Sequence, residues 1–151
     1  MRVFMNTLEN MLAVASNLKY KVIIVTSGKP NARSQHSRFN RAITVNDSQE
    51  NIPLVLAHEL GHALMWERGE MVLLRQEMST RRKDFERSLP RKNSIANAVA
   101  NINFEQALSH ESLRRIEIRA WVLGEEFIPM QDRVLYWRVA DERLLTYGIT
   151  R

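Results

Sequence analysis

Residues 52–65 read IPLVLAHELGHALM, an apolar run into which His58, Glu59 and His62 are set. The helix this stretch implies is strongly apolar. Pro53 suits a first turn, where its missing N–H costs nothing, and Gly69 is a natural stop after Arg68. On a helix, residues four apart share a face, so His58 and His62 can aim two ring nitrogens at one point. Two nitrogens at ~2.1 Å from a common ion fit a zinc site. Glu59 lies one residue on, about 100° around the helix, beside such an ion and not on it. From there a carboxylate can take a proton from water that zinc has acidified to a pKa of about 7. This is the HExxH pattern of metal-dependent peptide hydrolysis. With four histidines in 151 residues, shuffling yields the pattern on the order of once in a hundred such chains. The competing reading is a pair of satisfied core histidines on a metal-free helix.

Upstream, Arg41–Asn46 (RAITVN) reads as a short strand and Asp47–Asn51 as turn and capping residues. Before it lie a polar loop, 31–40, and the breaker cluster Ser27-Gly28-Lys29-Pro30. That cluster closes Tyr20–Thr26, whose Val and Ile content predicts a buried strand. Phe4, Leu8, Met11, Leu12 and Ala15 have the spacing of an amphipathic helix that Asn17 ends. Downstream of Gly69, Met71, Leu74, Met78, Phe85 and Leu89 form an apolar stripe broken by Pro90. Ser94 is a cap for a helix carrying Ile95, Val99, Ile102 and Leu108. Ser109 is a cap for another running to Ile128 and stopped by Pro129, and Arg133–Leu145 forms the last helix. The expected class is α+β, mainly helical with a small N-terminal β-sheet beside the HExxH helix. One domain spans 1–151, with 129–151 as a helical C-terminal extension.

The composition, 44% hydrophobic and 26% charged, is that of an ordinary globular chain long enough to bury roughly two-thirds of its unfolded surface. The absence of cysteine excludes disulfides and thiolate-ligated zinc. No apolar run approaches the ~20 residues of a membrane span, and MRVFMNTLEN lacks the apolar core of a signal peptide. A cytoplasmic protein with no membrane partner is expected. The net charge of +5 gathers in residues 75–92, where Arg75, Arg81, Arg82, Lys83, Arg87, Arg91 and Lys92 alternate with Glu77, Asp84 and Glu86. Interspersed charges at helical spacing read as a solvated face. Nucleic acid is the less favoured alternative partner.

Zinc needs a third protein ligand and an open position. His110, Glu111, Glu105 and Glu117 are the candidates. Glu117 shares a helix face with Ala120, Trp121 and Gly124, and small residues there let its helix approach Gly61 closely enough for a carboxylate to reach the metal. His110 and Glu111 fall in the first turn of the helix expected after Ser109, where they serve its N-terminus. Glu117 is the preferred ligand, His110 its rival, and a surface pairing of Glu117 with Arg114 or Arg115 the bland alternative.

IPLVLAHELGHALM, preceded by RAITVN, resembles the ImmA/IrrE-type metallopeptidases. IEIRAWVLGEEFIP, residues 116–129, is similar to that family's later helix, and the resemblance covers most of residues 1–130. It implies a zincin-like fold with His58, His62 and Glu117 as zinc ligands and Glu59 as general base. It also implies phage or mobile-element relatives and a repressor-like protein substrate. Trp121 departs from the pattern, standing where many relatives carry Asp or Asn. The expected function is a zinc-dependent metallopeptidase whose substrate lies extended along the edge of the strand Arg41–Asn46. Tyr136, Tyr147, His110 and Arg119 are candidate oxyanion partners. The alternative is a zincin-fold binding protein that holds a regulator or nucleic acid without cutting. A third possibility resembles the SprT-like enzymes, which would require a third histidine, and His110 is the only later one.

Overall fold

The computed structural model describes residues 2–26, 34–90 and 94–151, with side chains from Thr7 onward. The breaker cluster Ser27–Pro30, loop positions 31–33, the Phe4 side chain, and Arg91 and Lys92 lie outside the described residues. The elements in chain order are α1 (Arg2–Asn17), β1 (Lys21–Thr26), β2 (Gln35–Ser37), β3 (Ala42–Asp47), α2 (Ile52–Glu67), α3 (Glu70–Ser88), α4 (Ile95–Gly124) and α5 (Arg133–Thr146). Two single 3₁₀ turns, Glu125–Phe127 and Met130–Asp132, join the last two helices. The class is α+β, mostly helical with a small mixed sheet.

α1 buries Met11 and Ala15. It ends just after Asn17, where Lys19 takes a left-handed φ of 65°. Tyr20 then donates its N–H back to the Ala15 carbonyl at 2.9 Å and Lys19 donates to Ser16, the paired bonds that satisfy the last carbonyls of a helix. The sheet order is β1-β3-β2, with β1 parallel and β2 antiparallel to β3. β3 is the buried strand, since Ile43, Val45 and Asp47 alternate inward and the strand packs on α2.

Two expectations about the strands are corrected. β1 is an outer strand and is not buried: Ile23, Ile24 and Val25 are about 40% exposed. A Val/Ile run has the same composition whether its faces are covered or not, and coverage depends on elements distant in sequence. The predicted loop 31–40 contains β2, which fills the edge of β3 that a substrate was expected to use. β3 therefore has a neighbour on each side.

α2 is buried on every side from Ile52 to Gly61. Gly69, with φ 74°, ends it and turns the chain directly into α3. α4 runs unbroken for 30 residues, so Ser109 caps nothing. The true cap is Ser94, whose Oγ accepts from the Asn97 N–H at 3.2 Å. Leu108, one residue before the expected break, packs with Leu74 and Met78 of α3, and this contact favours continuing the helix through Ser109. Beyond it, Phe85 stacks on Phe104 with ring centroids 4.0 Å apart. The ion pairs Arg81–Glu111, Arg82–Glu105 and Arg115–Glu77 also join the two helices.

The segment 129–151 contributes Tyr136, Val139, Ala140, Leu144 and Ile149 to the same core cluster as α2 and β3. Among the described residues no helix is long and apolar enough to cross a membrane.

Candidate metal centre

α2 and α4 cross in unusually close contact. A Cβ built on Gly61 would fall on the backbone carbonyl of Ala120, and one on Gly124 would meet the Ala57 carbonyl and the Tyr136 hydroxyl. Only hydrogen side chains fit at these points. The closeness brings Glu117, one turn before Ala120, onto the histidine face of α2.

Three side chains converge there. His58 Nε2 lies 3.2 Å from His62 Nε2 and 3.2 Å from Glu117 Oε2, while His62 Nε2 lies 3.5 Å from Glu117 Oε1. Ligands tetrahedrally placed at ~2.1 Å around one ion stand about 3.4 Å apart, and the spacings here are close to that. The group His58, His62 and Glu117 can hold a metal ion, all its candidate donor atoms lying within 4.8 Å of one another.

Electrostatics agree with the geometry. Burial pushes His58 down to about 4, against the pull of Glu117. Burial alone would raise Glu117, but hydrogen bonds from both histidines hold it well below the usual carboxylate range. Burial also disfavours charge on His62, but the Glu117 hydrogen bond and charge overcome it and raise that ring. Two nitrogen lone pairs and a carboxylate cannot face each other without a positive charge between them. Glu117 favours a proton on His62, and a metal would compete with that proton.

Glu59 is 5% exposed, and burial raises it to about 7. Of the four histidines, a third also reaches the site. His36 of β2 lies nearly parallel to His62 with ring centroids 6.3 Å apart, and its Nε2 is 2.9 Å from the Tyr20 hydroxyl. Sequence reading missed it because a three-residue strand is too short to show a period.

His58 is held by stacking. Its ring lies on Trp121 at 4.2 Å and 21°, and among the described residues its buried Nδ1 has no hydrogen-bond partner. Trp121 is held in turn by Tyr136, which meets it edge-on at 5.1 Å and donates its hydroxyl to the Trp121 carbonyl at 2.6 Å. Tyr136 is therefore engaged in packing, and Arg119 is paired with Glu70. His110 is exposed in the interior of α4 and Tyr147 is exposed beyond α5. The rival ligands Glu105 and Glu111 are taken by Arg82 and Arg81, and Glu117 pairs with neither Arg114 nor Arg115 but with the histidines.

Comparison with known proteins returns no matching family model, no matching curated protein and no matching solved structure.

Proposed function

We propose that the protein is a zinc metallopeptidase of the zincin type, akin to the ImmA/IrrE-type enzymes, acting on a repressor-like or other regulatory protein in the cytoplasm. The observation that carries this reading is the convergence of His58, His62 and Glu117 with Glu59 buried next to them. Three protein donors of types N, N and O leave a position open, the arrangement of catalytic and not of structural zinc. Zinc, when bound, supplies Lewis acidity toward a carbonyl and lowers the pKa of water. Glu59 accepts the proton of the attacking water and returns it to the departing amine. Burial has already moved its carboxyl toward neutral pH, where one group can do both. Trp121 and Tyr136 keep the floor of the site dry. Both edges of β3 are filled, so among the described residues the outer edge of β2 is the one that takes an extended substrate.

The binding-only alternative rests on the basic stretch 75–92. Its Arg81, Arg82 and Arg87 have carboxylate partners, and Arg75 sits over the Trp66 ring at 4.7 Å. These pairings weigh against a free phosphate-binding surface.

The test is metal content of the purified parent beside Glu117→Ala, His110→Ala and Glu59→Gln, together with digestion of a peptide library read by mass spectrometry. The parent and the His110 and Glu59 variants are expected to hold one zinc each and the Glu117 variant little. The Glu59 variant is expected to lose cleavage by a factor of at least 10³. Absence of metal from the parent rules out the enzyme reading, and nucleic-acid binding that survives Glu59→Gln with no cleavage by the parent favours the alternative.

A further inference from the structure

β2 is short, but its register fixes which way its middle residue faces. His36 stands directly opposite Ile43 in the antiparallel pair, and directly opposed residues share one face of a sheet. Ile43 is fully buried on the side packed against α2. His36 is thereby turned toward the same helix, and its ring runs alongside that of His62.

The ring is also tethered. Tyr20, itself buried, stands where the chain leaves α1 and places its hydroxyl 2.9 Å from His36 Nε2. If the hydroxyl donates to Nε2, a neutral imidazole must carry its proton on Nδ1. Among the described residues none bonds that nitrogen. β2 is an outer strand of the sheet, so among the described residues His36 lies between the ligand cluster and a strand edge that pairs with no further strand. Of the four oxyanion candidates read from sequence, Tyr136 and Arg119 are engaged in other contacts and His110 and Tyr147 are exposed, whereas the His36 ring runs alongside His62.

We propose that His36, tethered by Tyr20, is the hydrogen-bond donor that meets the carbonyl oxygen of a peptide bound at the His58–His62–Glu117 site. This rests on the metallopeptidase reading above and assigns the group which that reading lacks. A donor held in place beside the site by its own tether costs little reorganisation as negative charge grows on a bound carbonyl oxygen. The role differs from a ligand's, because His36 lies outside the group of converging donor atoms.

The experiment loads the full-length protein with cobalt(II) and titrates it with acetohydroxamate, a small carbonyl-bearing metal chelator, read by the visible absorption of the cobalt. The parent is expected to take up one cobalt and to bind the hydroxamate. His36→Ala is expected to take up the same cobalt and to bind the hydroxamate at least 10-fold more weakly. His36→Gln, which keeps an N–H donor, should recover part of the loss, and Tyr20→Phe, which removes only the tether, should show several-fold weakening. Parent-like hydroxamate affinity in His36→Ala overturns the proposal and leaves the metal site standing. Loss of cobalt from His36→Ala also overturns it, in favour of a purely structural role. If His36→Ala does not fold, Tyr20→Phe decides, and parent-like affinity there overturns the proposal. Failure of the parent to bind cobalt overturns the metallopeptidase reading and this proposal together.

Discussion

Trp121 is the residue on which the geometry of the site depends most. A metal-bound histidine ordinarily has its second ring nitrogen fixed by a carboxylate or carbonyl, whereas His58 is fixed by a ring face. Trp121→Ala would remove a fully buried indole at a cost of about 3–5 kcal/mol, lowering the thermal midpoint on the order of 10 °C. It would also free the His58 ring, weakening metal binding by about 10–100-fold. Trp121→Phe keeps a stacking face and should retain most of the affinity, as a chelator competition would register. Equal affinities for the alanine and phenylalanine variants would show that stacking does not position His58.

His36 offers a pH signature in the metal-free protein. Burial, then the neighbouring His62 and Arg41, hold it at about 4 against 6.5 in the unfolded chain. Between those values the unfolded state binds the extra proton, so this ring's contribution falls as pH drops from about 6.5 to about 4. Measured against His36→Gln, which cannot titrate, the parent should lose stability between pH 7.5 and pH 5. Urea midpoints at the two pH values test this, and a constant difference between the two proteins would refute it. The convergence of His58 and His62 was legible at this scale because residues four apart share a helix face, and that of Glu117 because the small residues on its face allow close approach. His36 was not, because a three-residue strand shows no period from which its direction could be read.

At the scale of elements, the close crossing of α2 on α4 makes a sharp prediction. Helix propensity alone favours Ala over Gly by ~1 kcal/mol, so Gly61→Ala would be stabilising on an open helix. Here the new methyl meets a backbone carbonyl, which cannot turn aside as a side chain can. Overpacking of about 1–3 kcal/mol outweighs the propensity gain, and the shift carries Glu117 away from the histidines. The variant should melt lower and bind metal less tightly, and a raised melting point would mean the helices are not in contact at Gly61.

The small-residue face of α4 was readable in Glu117, Ala120 and Gly124 because size decides approach distance. The break at Ser109 was misread for the opposite reason. A serine followed by acidic residues is a sound local cap signal, but Leu108 gains a buried seat between the two long helices only if the turn continues. β1 was misread as buried because its composition is silent about which elements cover it.

At the scale of the whole molecule, charge and core tell different stories. The basic stretch 75–92 was foreseen as a solvated face, and its arginines Arg81 and Arg82 hold α3 to α4 through Glu111 and Glu105. Such exposed pairs contribute only about 0–1 kcal/mol each, so the outer half of this hairpin depends mainly on the Phe85–Phe104 stack and the Leu74, Met78 and Leu108 cluster. The C-terminal segment is the converse. Only an apolar pattern marked it in the sequence, yet Tyr136, Leu144 and Ile149 are among its fully buried side chains, and Arg143 reaches across to Asp47 at the end of β3.

The ligands' origin on α2 and α4 has a consequence in polymer terms. An ion shared by His62 and Glu117 is a removable cross-link that closes a loop of about 55 residues, and the content of that loop is the α3–α4 hairpin with the end of α2. An ion that binds only the folded state would stabilise it by about 4 kcal/mol at a free concentration ~1,000 times its Kd. Stripping the metal should therefore act unevenly, leaving α1, the sheet and α5 protected while residues 70–116 become the first to exchange amide hydrogens and the first cut by trypsin. Uniform loss of protection along the chain would show that the ion clasps nothing. The hairpin's rigidity would then depend on whether the clasp is closed, and metal supply would set the lifetime of the protein as well as its chemistry.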